Sequence, residues 1–353
     1  VQKQLHALDA SLDWNAIRAH AKHSRESFDI NQACRLLLVL EESKFDIEKL
    51  KDSVAATFEK QGDAKYWSTP DGAFFGSGKS NGKLAYIFPG QGAQYTGMLR
   101  DLACQFPEML EALNLANEEF GTDDSGVRLS DRIYPHPTFD KESADRDTAT
   151  LTKTDIAQPA IGAISLGAMN LLKRFGLAPE AAAGHSYGEL TALCAAHVLN
   201  PEGLIGASKL RGELMGQGEG DRGTMLAVRG DIEATQDVID SEKLDVIIAN
   251  KNSPKQSVLS GSTDAIKNAK EVLDEKNIKS IPLTVAAAFH SSLVADAAIP
   301  FAKGLEDIEL STAAIPVYAN TTGTKYPDAV DEIRDQLANQ LAKPVDFVKQ
   351  ISS

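Results

Sequence analysis

The segment GHSYGE at residues 184–189 constrains this chain more than any other feature of its sequence. It satisfies the pattern G-x-S-x-G, in which a serine lies on a sharp turn between a strand and a helix, with small residues on either side. The flanking residues predict that context, because PEAAAGHS is typical of a short strand and YGELTALCAAHVL of a helix. Ser186 is therefore either a nucleophile on such a turn or an ordinary serine in a glycine-rich loop.

Composition argues against several classes of protein. The 353 residues carry 36 lysines and arginines against 50 aspartates and glutamates, and the net charge of −14 argues against binding to nucleic acid or an anionic membrane. The three cysteines, Cys34, Cys104 and Cys194, are too widely spaced for a disulfide framework or a zinc site. We therefore expect no bound metal. No apolar run of membrane-spanning length and no signal peptide are visible, so we expect a cytoplasmic protein. Because the first residue is Val1, we expect a piece of a longer chain.

Residues 1–80 have the pattern of a small separate unit. ACRLLLVLEES predicts a buried strand, because its apolar run is continuous, and apolar residues at helical spacing follow it between residues 47 and 58. GAFFGSG predicts a second strand ahead of a polar, glycine-rich connector. We therefore expect a small αβ linker unit before the main domain.

From residue 81 onward strands alternate with helices, which predicts a mostly parallel sheet covered by helices. The residues 223–285 change rhythm to β-α-β-β-α-β, the ferredoxin-like pattern, whereas DKESADRDTATLTKTD has the composition of a polar surface loop. The predicted fold class is α/β. It comprises an α/β-hydrolase-like large subdomain, 81–222 and 286–353, and an inserted ferredoxin-like small subdomain, 223–285.

A nucleophilic serine needs a base, and His290 is the best candidate. Of the seven histidines, it is the one that follows a core-like strand at the predicted carboxyl edge of a sheet, where α/β sites form. The alternative is a buried histidine that caps a strand end.

The loop FPGQGAQ, residues 88–94, could offer a backbone amide to an oxyanion. Gly90 and Gly92 let the main chain approach a ligand, but Tyr95 occupies the third glycine position of a dinucleotide-binding loop. A backbone N–H from this loop, together with that of Tyr187, would suit a developing negative charge. The alternative is a tight turn without a function.

Five ordered motifs together resemble one family: FPGQGAQ, GHSYGE, KLRGELM, AAFHSS and NQLAKPVDF. They are similar to the malonyl-coenzyme A:acyl-carrier-protein transacylases and to the acyltransferase domains of fatty acid and polyketide synthases. The similarity runs from about residue 83 to the end, and LTKTDIAQPAIGAISLGAMNLL most resembles polyunsaturated fatty acid synthases and related iterative synthases. The segment before it resembles the linker between ketosynthase and acyltransferase. Relatives continue beyond PVDF into a further strand and a closing helix, whereas this chain ends at Ser353.

The resemblance implies a role for each matching residue. Ser186 would be the acylated nucleophile, and His290 would be its general base and then its general acid. Gln91 and Tyr187 would supply the amides of the oxyanion hole. Gln340 would orient the histidine through its main-chain carbonyl, so no acidic third member is needed.

Arg211 matches the arginine that binds the free carboxylate of malonate. A guanidinium suits that role because it donates two parallel charged hydrogen bonds. In the sequence Arg211 has Ala207 and Leu214 one turn away on either side, so it borders an apolar helix face. The alternative is a snorkelling surface side chain.

The resemblance also assigns three substrate-binding positions. Phe289 matches the malonyl-type signature, because a bulky ring leaves less room for an α-methyl group. Two residues earlier, Ala287 stands where relatives often have a histidine. Asn250 and Asn252 match asparagines that line the cleft from the ferredoxin-like side. The alternative for both is a turn before Pro254.

Three functions fit these residues, and we expect the first. A transacylase would move malonyl from malonyl-coenzyme A through an acyl-serine to the phosphopantetheine thiol of an acyl carrier protein, without a bound cofactor. Its partners would be that carrier protein and the ketosynthase domain of the same multienzyme. An acyl hydrolase or esterase could use the same Ser-His pair, but Arg211 would then place a charge in a pocket for uncharged chains. A noncatalytic docking module predicts the loss of a catalytic residue, yet Ser186, His290, Gln91 and Arg211 are all present.

Overall fold

The computed structural model describes residues 13–29, 32–44, 46–78, 82–216, 220–283, 285 and 287–353. The chain divides into two compact units, Val1–Gly82 and Lys83–Ser353. Each unit has its own buried apolar cluster.

The first unit packs one helix against one face of a small antiparallel sheet. The sheet has the order β1-β3-β2, formed by Cys34–Leu38, Ala73–Ser77 and Tyr66–Ser68. Its other elements are the helices Trp14–Glu26 and Ile47–Gln61 and the 3-10 turn Glu42–Lys44.

The strand β1 is not buried as its apolar run predicts. Leu37 is 61% exposed, whereas Leu36 and Leu38 pack against the cluster that contains Leu50 and Val54. Successive side chains of a strand point to opposite faces. The helix Ile47–Gln61 covers only one face of the strand. The prediction of a fully buried strand is therefore wrong.

The second unit contains the parallel sheet predicted for the large subdomain. Its order is β10-β5-β4, formed by Val317–Tyr318, Ala181–Gly184 and Ala85–Phe88, and both neighbouring pairs are parallel. The helix Thr154–Arg174 has buried residues along most of its length and shares a buried apolar cluster with Tyr86, Phe88 and Ala182 of this sheet. The helices of this unit are Arg100–Gln105, Pro107–Phe120, Leu129–Ile133, Lys141–Thr152, Thr154–Arg174, Gly188–Ala195, Pro201–Gly216, Ile232–Ser241, Thr263–Glu275, Ala298–Gly304, Val330–Asn339 and Phe347–Ser352, with 3-10 turns at Ser292–Ala297 and Gln340–Ala342.

The second unit also contains a separate mixed sheet. Its strands are Thr224–Arg229 (β6), Ile247–Ser253 (β7), Gln256–Gly261 (β8), Lys279–Leu283 (β9) and Val345–Asp346 (β11). They lie in the order β11-β7-β8-β6-β9. Four of them are antiparallel neighbours in the order that a β-α-β-β-α-β chain produces, and β11 is added parallel to β7. The predicted α/β fold class, with a parallel sheet and a ferredoxin-like sheet, is confirmed.

The segment DKESADRDTATLTKTD is not the loop that its polarity predicts. It forms the helix Lys141–Thr152, which begins where the Asp140 carboxylate accepts a hydrogen bond from the Ser143 N–H at 2.7 Å. An exposed ion pair between Glu142 and Arg146 adds local support. An N-terminal cap therefore outweighs the scarcity of apolar residues.

Two further findings concern the part of the chain that the structure describes. None of its helices is both long enough and apolar enough to cross a membrane. Its histidine, cysteine, aspartate and glutamate side chains form no group of three or more that could hold a metal ion.

Candidate active site

Ser186 lies on a strained turn between β5 and the helix Gly188–Ala195. Its φ of 51° is in the left-handed region, which non-glycine residues rarely adopt. A Cβ atom on Gly188 would overlap the carbonyl oxygen of Phe88, and one on Gly184 would overlap the main chain of Gly188. The glycines on both sides of the serine are therefore required by the close approach of backbone segments.

The structure brings Ser186 and His290 together. Ser186 Oγ lies 2.7 Å from His290 Nε2, and His290 Nδ1 lies 3.1 Å from the main-chain oxygen of Gln340. A carbonyl only accepts hydrogen bonds, so Nδ1 carries the proton and Nε2 accepts the hydroxyl proton of the serine. Burial, together with the positive charge of Arg211, lowers the pKa of His290 to about 3, which keeps the imidazole neutral.

The loop FPGQGAQ crosses the serine turn closely. A Cβ atom on Gly90 would overlap the carbonyl oxygen of His185. The Gln91 side chain is held by the Thr154 hydroxyl at 3.2 Å and by the Gln158 amide at 3.3 Å. Among the residues that the structure describes, none accepts a hydrogen bond from the backbone N–H of Gln91 or of Tyr187.

Arg211 is a buried cation and not a snorkelling surface residue, because it is only 1% exposed. One terminal nitrogen donates to Gln158 Oε1 at 2.9 Å and the other to Gln340 Oε1 at 3.0 Å. Burial lowers its pKa to about 10, so the guanidinium stays charged at neutral pH. Within the described ranges no carboxylate forms an ion pair with it, and an unpaired buried charge is costly.

Gln340 joins the serine, the histidine and the arginine. Its main-chain oxygen accepts from His290, its side-chain oxygen accepts from Arg211, and its side-chain nitrogen donates to the Ser186 carbonyl at 3.0 Å. From the sequence, only the main-chain carbonyl of Gln340 has a predicted role. With the two side-chain hydrogen bonds added, Gln340 contacts His290, Arg211 and Ser186.

Phe289 and the two asparagines occupy different surroundings. Phe289 is 7% exposed, and the Ser260 hydroxyl fixes its carbonyl at 3.0 Å. Asn252 Oδ1 lies 2.7 Å from Nε2 of His185, so that asparagine reaches the residue before the serine. Asn250 is buried in β7 between β8 and β11, and the described structure shows no hydrogen bond from its side chain to the serine turn.

Four buried polar residues around the site were not singled out from the sequence. Asn320 donates to the Gly184 carbonyl and accepts from the Ser186 N–H, and Gln158 holds Arg211. Glu189 accepts hydrogen bonds from the side-chain amide of Asn320 and from the hydroxyl of Tyr326. A signal existed for two of them, because Gln158 is the one polar residue of the segment IAQPAIGAI and Glu189 is the one charged residue of the helix Gly188–Ala195.

The arrangement supports acyl transfer through an ester on Ser186. The neutral His290 can take the serine proton as the oxygen attacks a carbonyl carbon. The charged Arg211 can bind an anionic group of the acyl chain. Together they favour a nucleophilic serine with a pocket for a carboxylate.

A family model described as acyl transferase domain matches residues 85–353. The malonyl CoA-acyl carrier protein transacylase of Bacillus subtilis is 33% identical over 276 residues, which are 76% of this chain and 82% of that protein. A polyunsaturated fatty acid synthase polypeptide of a Thraustochytrium species is 29% identical over 316 residues, 85% of this chain. This chain spans only 11% of that much longer protein.

Solved structures agree with these sequence relatives. An acyl carrier protein S-malonyltransferase from Vibrio cholerae has a TM-score of 0.68 and 31% identity, with 77% of this chain and 85% of that chain covered. A malonyl-transacylase in complex with its type II polyketide synthase acyl carrier protein has a TM-score of 0.66 and 32% identity, with 75% of this chain and 83% of that chain covered. The similarity therefore extends to the fold of stand-alone transacylases.

Proposed function

The chain belongs to the acyl transferase domain family, and on that basis we propose that it moves a malonyl group from malonyl-coenzyme A to the phosphopantetheine thiol of an acyl carrier protein. The observation that carries this proposal is Arg211, a buried guanidinium bound only by amide oxygens among the described residues. A guanidinium has further N–H groups that can donate in parallel to a carboxylate. The free carboxylate of a malonyl group supplies that partner.

In the first half-reaction, Ser186 Oγ attacks the thioester carbonyl of malonyl-coenzyme A while its proton passes to His290 Nε2. The backbone N–H groups of Gln91 and Tyr187 stabilise the oxyanion of the tetrahedral intermediate. The C–S bond then breaks, and the protonated His290 gives its proton to the departing coenzyme A thiolate. The product is a malonyl ester of the serine.

In the second half-reaction, the phosphopantetheine thiol of the carrier protein takes the place of coenzyme A. The neutral imidazole of His290 accepts the thiol proton, and the sulfur attacks the ester carbonyl. The C–O bond to Ser186 breaks, and the proton returns to the serine oxygen. His290 thus serves as base and acid in both halves, and Gln340 keeps its Nδ1 proton in place.

The remaining site positions have supporting roles in this proposal. Phe289, next to the base, limits the room at the α-carbon of the acyl group, and Asn252 lies at the cleft through its contact with His185. Asn250 contributes through the wall formed by β7. Coenzyme A and the carrier protein enter as substrates.

The proposal extends to the organisation of the chain. Residues 81–222 and 286–353 form the large subdomain around the nucleophile, and 223–285 form the small subdomain. Residues 1–80 link this enzyme to a ketosynthase domain of a multienzyme. Similarity over 85% of the chain to a polyunsaturated fatty acid synthase polypeptide supports a multienzyme setting.

Substrate selectivity in an Arg211→Ala variant tests the proposal. We expect kcat/KM for malonyl transfer to fall roughly 10- to 100-fold, because charged hydrogen bonds to the carboxylate are lost. Transfer of acetyl, which has no carboxylate, should be retained, and this internal control shows that the Ser186–His290 pair is intact. Arg146→Ala removes an exposed arginine and should change neither rate.

An equal loss for malonyl and acetyl would refute the carboxylate role of Arg211. Release of free malonate at the full rate in the absence of carrier protein would instead identify an acyl hydrolase.

A further inference from the structure

A carboxyl group lies buried directly behind the nucleophile. Glu189, on the helix Gly188–Ala195, is 1% exposed. Its Oε1 accepts a hydrogen bond from the Tyr326 hydroxyl, and its Oε2 accepts from both the main-chain N–H, at 3.2 Å, and the side-chain amide of Asn320. None of the acyl-transfer steps uses this carboxyl group, so its burial needs another explanation.

Asn320 connects this carboxyl group to the serine. Its Oδ1 accepts from the Ser186 backbone N–H at 2.8 Å, and its Nδ2 donates to the Gly184 carbonyl at 2.7 Å as well as to Glu189. The side chain is fully buried. Because two acceptors face Nδ2, the amide is oriented so that Oδ1 faces the serine.

The serine needs such support. Its left-handed φ of 51° carries a strain that persists only where the surroundings impose it. Asn320 holds its N–H, and Gln340 holds its carbonyl at 3.0 Å. Both polar groups of the strained residue are thus fixed by residues distant in sequence.

The neighbours of Glu189 favour its ionised form. Both carboxyl oxygens face donors, from Tyr326 and Asn320, and an ionised carboxyl group is purely an acceptor. A proton on Oε2 would face the Asn320 donors, and a proton on Oε1 would reverse the bond with Tyr326, whose hydroxyl can also accept. In both cases the carboxyl group loses the charge that strengthens its hydrogen bonds from Asn320. Among the described residues, the charged or titratable groups that act on Glu189 are Tyr326 and Arg211.

We propose that Glu189, acting through Asn320, is a positioning residue that holds Ser186 in its reactive backbone conformation, and that it does so as a carboxylate. The inference rests on the proposed function only in taking Ser186 as the nucleophile. It gives the buried acid a role in the site, because protonation weakens the charge-assisted hydrogen bonds that hold Asn320, and the serine turn then relaxes.

Electrostatics separate this group from the catalytic base. Burial raises the pKa of Glu189 to about 7, whereas burial and Arg211 lower the pKa of His290 to about 3. His290 therefore stays neutral throughout the range in which Glu189 titrates. A loss of serine reactivity below pH 7 would report Glu189 and not the base.

The experiment measures the single-turnover rate of Ser186 modification between pH 5.5 and 8.5 by intact-protein mass, with two reagents. Malonyl-coenzyme A tests the proposed substrate, and a fluorophosphonate tests serine reactivity independently of substrate. The variants are Glu189→Gln and Tyr326→Phe, with Glu118→Gln as a control for the loss of an exposed carboxylate.

We expect the wild-type rate to fall about tenfold per pH unit below pH 7. In Glu189→Gln this fall should disappear, and the rate at pH 8 should drop about tenfold or more without a change in the KM for malonyl-coenzyme A. In Tyr326→Phe the fall should begin about one pH unit higher, because loss of a donor to the carboxylate raises its pKa. Glu118→Gln should match the wild type.

The inference is overturned if Glu189→Gln keeps both the wild-type rate and its fall, or if Tyr326→Phe leaves the fall where it is. Should Glu189→Gln not fold, the milder Tyr326→Phe decides. The fluorophosphonate separates the two proposals. A Glu189-dependent profile with that reagent, without any malonyl adduct, would support the positioning role and refute the proposed substrate.

Discussion

At the scale of single side chains, burial determines the charge that each group around Ser186 carries. His290 is neutral because its charged form would be unsolvated and close to Arg211. Arg211 remains charged although burial lowers its pKa to about 10. The proposed attack on an anionic thioester requires this combination of a neutral base and a permanent cation.

This charge pattern predicts acid sensitivity of the fold. The pKa of His290 is about 3 in the folded chain and about 6.5 in an unfolded one. The unfolded state binds this proton first, so the contribution of His290 to the free energy of unfolding falls as the pH decreases from about 6.5 toward 3. In urea titrations between pH 7 and pH 4, the free energy of unfolding of the wild type relative to His290→Gln should therefore decrease as the pH falls.

The matched control is His136→Gln, which removes an exposed imidazole. It should keep the wild-type dependence on pH. Identical pH dependence of all three proteins would contradict a buried, neutral His290.

From the sequence we predicted Ser186, His290 and the main-chain carbonyl of Gln340 as parts of one site, but not Asn320 or the side-chain contacts of Gln340. Ser186 stands in a recognisable local pattern, and His290 follows a strand at a sheet edge. Asn320 and Gln340 lie 134 and 154 residues from Ser186 in the chain. No local sequence pattern predicts that their side chains bind the main chain of Ser186. Such contacts follow from the fold, which brings distant loops to one sheet edge.

At the scale of elements, Tyr187, the residue after Ser186, links two helices. The fully buried Tyr187 hydroxyl lies 2.7 Å from the Ser208 hydroxyl, which itself donates to the Leu204 carbonyl at 2.5 Å. Tyr187 is therefore the donor in the first of these bonds. A Cβ atom on Gly162, in the helix Thr154–Arg174, would overlap the Tyr187 hydroxyl oxygen.

A double-mutant cycle tests this contact. Gly162→Ala should lower the free energy of unfolding by about 1–3 kcal/mol, because the added methyl overpacks the tyrosine. It should also slow acylation, since Tyr187 carries a proposed oxyanion amide. Tyr187→Phe alone should cost about 1 kcal/mol for its lost hydrogen bond.

In the double variant, removal of the hydroxyl leaves room for the methyl group. Its loss in free energy of unfolding should therefore be smaller than the sum of the losses of the two single variants. Urea titration of the four proteins provides the coupling energy. Additive losses would show that Gly162 and Tyr187 do not constrain each other.

The two mispredicted elements have distinct physical reasons. The continuous apolar run of β1 does not show whether one face or both faces of the strand are covered. In the folded unit one helix covers one face. The helix Lys141–Thr152 is amphipathic only weakly, and its cap at Asp140 fixes its start. Tertiary partners decide the first case and a local cap decides the second.

At the scale of the whole molecule, each of the two units has a separate buried cluster. Val54 and Trp67 belong to the cluster of the first unit, whereas Tyr187 and Leu193 belong to the second. Both tryptophans, Trp14 and Trp67, lie within the first 82 residues. Both tryptophan probes therefore belong to the first unit.

Separate cores predict separate unfolding. Val54→Ala should destabilise the first unit by about 2 kcal/mol and lower the denaturant midpoint measured by tryptophan fluorescence. The midpoint measured by far-ultraviolet circular dichroism, which the helices of residues 83–353 dominate, should not change. The rate of acylation should not change either. Coincident shifts of both midpoints would contradict independent cores.

The most direct test of the central claim is the intact-protein mass after brief exposure to malonyl-coenzyme A, for the wild type and for Ser186→Ala. We predict a single malonyl adduct on the wild type that disappears when carrier protein is added, with malonyl recovered on the carrier. Ser186→Ala should carry no adduct. An adduct of equal yield on Ser186→Ala, or a wild-type adduct that carrier protein does not remove, would contradict acyl transfer through this serine.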